Sequence, residues 1–247
     1  MENFNAEVEI ENIINWIRKW FDENGPKANA VIGISGGKDS TIVAKLLVDA
    51  LGKDRVVGVL MPNGIQSDID DSKRVIELLG IKSYTINIGK AYGGLIDAIK
   101  DEGIEISSDT KINIPPRLRM TTLYAIAQSL ENGGRVINTC NRSEDFVGYS
   151  TKFGDSAGDM SPCGNYLVCE MLEIGDALGL PYELIHKTPS DGLCGKTDED
   201  NLGFTYTELD NYILNGETDD EAKKGKIDRL HRLNLHKLQF MPIYKRD

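Results

Sequence analysis

Four short apolar runs, each followed by a stretch of helical periodicity, restrict this chain more than any other feature. The runs are "ANAVIGIS", "RVVGVLMP", "KSYTINI" and "RVINTC". The first is nearly continuous rather than alternating, as a strand covered on both faces is. Between them, apolar residues return at helical spacing, as in Ile42, Val43, Leu46, Leu47 and Ala50. Glycines at 52, 80 and 133–134 supply the stops. Strands alternating with helices of these lengths predict an α/β fold: an open parallel sheet with helices on both faces. Residues 7–22 add an amphipathic helix before the first strand, with Ile10, Ile13, Ile14, Ile17 and Phe21 on one face and Gly25-Pro26 behind it. No repeat or linker interrupts the chain, so residues 1–247 are expected to form one domain.

The turn after the first strand is "GISGGKDS", residues 33–40. A strand entering a glycine-rich turn and then a helix aims backbone N–H groups and the positive helix end at one anion. It is not a Walker A loop, because Ile32 stands where that motif has its first glycine and Asp39 follows Lys38 where a hydroxyl residue belongs. Nor is it a dinucleotide fingerprint, since Ser35 breaks the G-x-G spacing. Ser35, Ser40 and Thr41 offer hydroxyls and Lys38 a charge. A carboxylate beside a phosphate is repulsive unless a cation lies between them, so Asp39 points to Mg²⁺.

Composition narrows the ligand. The net charge of −11 argues against a nucleic-acid surface. A phosphate-bearing small molecule then needs a metal ion and local basic residues to approach. No apolar stretch is long enough to suggest a membrane span. The N-terminus lacks the basic-then-apolar order of a secretory leader. The four cysteines have neither C-x-x-C nor zinc spacing, and reduced thiols in the cytoplasm are expected.

The string "SGGKDS" resembles the pyrophosphate loop of the N-type ATP pyrophosphatases, which cleave ATP between its α- and β-phosphates. Further segments are similar, in the same order, to ammonia-dependent NAD synthetases: "NIPPRLRMTTLYAIAQ", "NTCNRSEDFVGYSTKFGDSAGDMSP", "TPSDGL" with "DEDNLGFTYTELD", and the tail dipeptide "HK". The resemblance spans residues 31–237 and implies a Rossmann-like adenine nucleotide alpha hydrolase fold. It also implies amidation of nicotinic acid adenine dinucleotide (deamido-NAD) by ammonia. The nicotinate carboxylate would attack the α-phosphorus of ATP, and ammonia would displace AMP from the acyl-adenylate.

Carried over residue by residue, the resemblance assigns Gly33, Ile34, Ser35, Gly36, Gly37, Lys38, Asp39 and Ser40 to ATP phosphates. Thr139 and Ser190 are further ATP contacts, and Asp39 with Glu144 holds Mg²⁺. Arg117, at the expected start of a helix, Lys152, Asp159, His236 and Lys237 contact the dinucleotide. The chain departs from the pattern at Val168, where relatives carry an ATP-reaching lysine; Lys187 is a candidate substitute. Residues 190–203 are expected to be a mobile loop that orders over the acyl-adenylate. The resemblance also implies a homodimer, and free ammonia rather than a fused glutaminase domain, with a separate glutaminase partner left open. Other adenylating pyrophosphatases and a non-catalytic nucleotide sensor are the competing readings. The two expected Mg²⁺ ligands count against the sensor.

Overall fold

The computed structural model describes residues 4–65, 69–187, 197–218 and 220–246. Strands β1 (Asn29–Gly33), β2 (Val56–Leu60), β3 (Lys82–Thr85) and β4 (Gly134–Ile137) form one parallel sheet in the order β3-β2-β1-β4. The helices are α1 (Ala6–Asn24), α2 (Lys38–Leu51), α3 (Ile69–Leu79), α4 (Gly89–Asp101), α5 (Ser108–Ser129), α6 (Arg142–Val147), α7 (Val168–Ala177), α8 (Tyr182–Ile185), α9 (Asp198–Leu202), α10 (Tyr206–Asn215) and α11 (Glu221–Asn234). The four expected strands are all present.

Successive strand residues serve opposite faces. Ala30, Ile32, Val56, Leu60 and Ile137 pack with Ile17 and Phe21 of α1, Ile42 and Leu46 of α2, and Met171 and Ile174 of α7. Val31, Val57, Val59 and Val136 pack on the other side, against Ala127 and Leu123 of α5. Full burial stabilises each such side chain by about 1.5–3 kcal/mol. It also explains why the runs of β1 and β2 are nearly continuous. A third cluster joins Val147 of α6 and Val168 of α7 to Leu202, Phe204, Tyr206, Leu209 and Ile227 from the C-terminal helices.

The chain proceeds outward from β1 through β2 to β3, then returns to place β4 on the other side of β1. Strand order therefore reverses between β1 and β4, and in open α/β sheets ligands bind in the crevice beyond such a reversal. Residues 158–160 run beside β4, with one parallel bridge between Ile137 and Met160.

Two expectations are corrected. Helix α5 starts at Ser108, well before Arg117, because the Ser107 hydroxyl caps it by accepting the Thr110 N–H at 3.1 Å. Pro115 and Pro116 lie inside it and forgo their internal bonds. Arg117 is thus mid-helix. The expected mobile loop is in part a helix: Thr197 caps α9, whose Asp198 and Leu202 are buried. Residues 188–196, with Ser190, lie outside the described residues.

Gly148 ends α6 in the left-handed conformation (φ 64°, ψ 37°), and a Cβ there would meet Asn234 Cβ at 2.1 Å. Gly148→Ala is expected to cost about 2–4 kcal/mol from backbone strain and overlap. Urea unfolding checks this; a loss below about 0.5 kcal/mol, within the range of an ordinary surface substitution, would show that this joint tolerates a side chain.

Candidate active site

The glycine-rich loop leaves β1 with the Ile34 N–H bonded to Val59 O at 3.0 Å, so its first residue still follows β2. Gly36 has φ 81°, and a Cβ on it would lie 2.8 Å from both Asp71 Cβ and Ser72 N. Only glycine satisfies the backbone turn and the close approach of α3 together. Gly37 occupies the N-cap of α2 without a side chain to cap it, which leaves first-turn N–H groups for an anion. Hydroxyls stitch the loop from within: Ser35 Oγ lies 3.0 Å from Ser40 Oγ and accepts the Gly37 N–H at 3.2 Å. Thr41 Oγ1 donates to Gly37 O at 2.8 Å.

Lys38 is almost fully buried, its ammonium 2.9 Å from Asp39 Oδ2. Burial alone would depress its pKa, but Asp39, Glu144 and Asp198 reverse this and raise it. The lysine is therefore a fixed cation.

The loop after β4 supplies the facing groups. Asn141 caps α6 by accepting the Glu144 N–H at 3.0 Å. Its amide nitrogen donates to Asp39 Oδ1 at 3.2 Å. One side chain thus ties together the two loops that carry Asp39 and Glu144. Burial, reinforced by the charge of Asp39, pushes the Glu144 carboxyl well above the ordinary carboxylate range. Two carboxylates in a buried setting suit a divalent cation. Among the described residues there is no group of three or more His, Cys, Asp or Glu side chains that could hold a metal. Two protein carboxylates with phosphate and water at the remaining positions is the Mg²⁺ pattern.

Behind α6, Ser143 Oγ donates to Asp210 Oδ1 of α10 at 2.5 Å and accepts the Val168 N–H at 3.0 Å. Asp210 Oδ2 accepts the Cys169 N–H at 2.9 Å. These bonds satisfy the start of α7, which has no side-chain cap of its own.

The residues expected on the dinucleotide gather at one end. Arg117 Nε donates to Lys152 O at 3.3 Å, and Lys152 Nζ to His236 O at 2.8 Å. Lys237 Nζ donates to Gly148 O at 2.7 Å and Ser150 O at 2.9 Å. His236 Nδ1 lies 3.0 Å from Leu233 O. Asp159 accepts the Val136 N–H at 2.7 Å and the Tyr124 hydroxyl at 3.1 Å, closing the outer edge of β4. Asp159 and Lys237 line a cavity of about 230 Å³ together with Asn138, Asp145 and Ser161. Thr139, half-buried, lies two residues past the end of β4.

Val168 is buried in the C-terminal apolar cluster, so its side chain is core packing, which a charged lysine would not supply. Lys187 is held by Asp71 at 2.5 Å, the residue packed beneath Gly36. Sequence reasoning missed Asn141, Asp210 and Tyr206. Asn141 had a signal, an Asn three residues before a Glu at a helix start. Asp210 had none, because Ser143 lies 67 positions away.

A doubly covered parallel sheet with a glycine-rich anion loop and paired carboxylates at its reversal point defines a nucleotide-binding α/β protein. Residues 9–247 match the family model for NAD synthase, and the chain belongs to that family. It is 38% identical over 236 residues to the NH(3)-dependent NAD(+) synthetase of Finegoldia magna, covering 94% of this chain and 95% of that one. Its likeness to the Pyrococcus horikoshii NH(3)-dependent NAD(+) synthetase is 44% over 207 residues, covering 83% and 76%. Among solved structures, NMN synthetase from Francisella tularensis superposes with a TM-score of 0.88 at 34% identity, covering 98% of this chain and 99% of that one.

Asn141→Ala is expected to lower stability by about 0.5–2 kcal/mol through loss of the α6 cap and to release Asp39 from its second partner. Chemical denaturation reads the first effect; unaltered stability would mean that the cap does not hold α6.

Proposed function

We propose that this chain makes NAD by ATP-dependent amidation of deamido-NAD with ammonia, through an acyl-adenylate, releasing AMP and pyrophosphate. The observation that carries the reading is the Asp39–Asn141–Glu144 bridge across the mouth of the glycine-rich loop, in a chain of the NAD synthase family. Relatives named NH(3)-dependent that match nearly their full length support ammonia as the nitrogen donor.

In the first step, a nicotinate oxygen bonds to the α-phosphorus while the bond to the β-phosphate oxygen breaks. Charge builds on the departing pyrophosphate, which the first turn of α2, Ser35, Ser40 and the fixed Lys38 cation would stabilise. Asp39 and Glu144 would hold Mg²⁺, which supplies charge neutralisation to the phosphates when bound. Thr139 and Ser190 would contact ATP. In the second step, ammonia nitrogen bonds to the acyl carbon, the bond to AMP breaks and the nitrogen gives up a proton. Arg117, Lys152, Asp159, His236 and Lys237 would orient the dinucleotide; the cavity lined by Asp159 and Lys237 and the hydrogen-bonded chain from Arg117 through Lys152 to His236 support this grouping. We also infer that residues 1–247 act as one domain in a cytoplasmic homodimer.

The Francisella neighbour favours a second substrate for comparison, nicotinic acid mononucleotide. The test is chromatographic product analysis with Mg²⁺, ATP, ammonium and either the dinucleotide or the mononucleotide. The expected result is matched NAD and AMP from the dinucleotide, dependent on ammonium. NMN formed in preference would move the substrate to the mononucleotide, and no AMP from any mixture would favour a sensor.

Asp39→Ala is expected to abolish pyrophosphate release, by a thousandfold or more on the scale of lost transition-state charge stabilisation, with the fold retained. Normal activity in that variant would remove the Mg²⁺ assignment.

A further inference from the structure

Tyr206 opens α10, just after its cap Thr205, and is 4% exposed. It sits in the apolar cluster with Val168, Leu202 and Leu209, where a phenylalanine would serve equally well as packing. Its ring faces the Lys38 ammonium, 5.5 Å from the ring centroid, within cation–π range. Its backbone N–H donates to Glu199 Oε1 at 2.9 Å, which fixes the start of the helix. Its hydroxyl oxygen is wholly buried and has no hydrogen-bond partner among the described residues. Buried polar groups are almost always paired, so an orphan of this kind asks for a partner beyond the described residues. Burial and the surrounding Glu144, Asp198 and Asp39 charges raise the phenol's pKa, so it stays a neutral donor.

We propose that Tyr206 is a residue of the nucleotide site, its ring holding the Lys38 ammonium and its hydroxyl donating to an anionic oxygen of the β- or γ-phosphate of bound ATP. The inference rests on the nucleotide-binding part of the reading above and not on the identity of the amidated substrate. The surroundings supply the reason for a donor here. Lys38 is engaged by Asp39, and the nearby carboxylates repel phosphate, so a neutral O–H adds attraction without adding charge to a crowded site.

The experiment is calorimetric titration of wild type and Tyr206→Phe with MgATP, magnesium pyrophosphate and AMP, alongside a thermal melt of each. A hydrogen bond to a charged group predicts about a tenfold to hundredfold loss of affinity for MgATP and pyrophosphate. AMP affinity should change less than twofold, and the melting temperature should hold or rise because an orphan hydroxyl has been removed. MgATP affinity within twofold of wild type overturns the proposal. So does an equal loss for AMP with a lowered melting temperature, which would make Tyr206 a structural residue only. These titrations need no turnover, so failure of wild type to amidate deamido-NAD would overturn the substrate reading without touching this result.

Discussion

Strand β1 is hydrogen-bonded to parallel neighbours on both sides, and the site hangs from its C-terminal end. Parallel pairing aligns the strand ends, so the loop after β1 and the loop after β4 emerge side by side. The reversal of strand order between them keeps a connecting helix from filling the gap. Asp39 and Glu144, more than a hundred residues apart in the chain, meet there because two five- and four-residue strands share a register. Asn141 then converts neighbouring loops into one unit, with its carbonyl on α6 and its amide on Asp39.

Charge is the second constraint. The chain is strongly acidic overall, yet its proposed substrates, ATP and deamido-NAD, are both anions. Lys38 is the local answer: buried among Asp39, Glu144 and Asp198, it keeps its proton despite desolvation. A single cation against these carboxylates leaves the site negative, which disfavours phosphate until a divalent ion arrives. The glycine-rich turn contributes attraction of another kind, through backbone dipoles that carry no net charge and need no counter-ion.

Much of this was legible in the sequence. Strands β1 and β2 stand out because both faces of the sheet are covered there, which leaves no polar alternation to obscure the runs; the edge strand β3 is largely exposed and reads less plainly. The glycine-rich loop is legible because its chemistry is contiguous: turn, cation, carboxylate and hydroxyls occupy eight successive positions. Helix α5 was misjudged at its start because Pro115-Pro116 reads as a boundary, while tertiary packing of Ile114 and Pro115 carries the helix through. The residues missed altogether, Asp210 and Tyr206, work through partners far away in the chain, and no local pattern encodes such a pairing.

The departure at Val168 shows how the two kinds of information combine. From sequence alone, a valine in place of a lysine reads as a lost nucleotide contact. In the fold, the side chain belongs to the cluster that seats α10 against α6 and α7, while its N–H is bonded to Ser143, the residue before Glu144. An apolar side chain there adds packing directly behind α6, where a lysine would have to direct its charge out of the cluster. The same cluster holds Tyr206 against Lys38. The position that forgoes one basic contact therefore helps to fix, through its neighbours, the groups that remain: the buried lysine, the capped glutamate and the tyrosine of the same cluster.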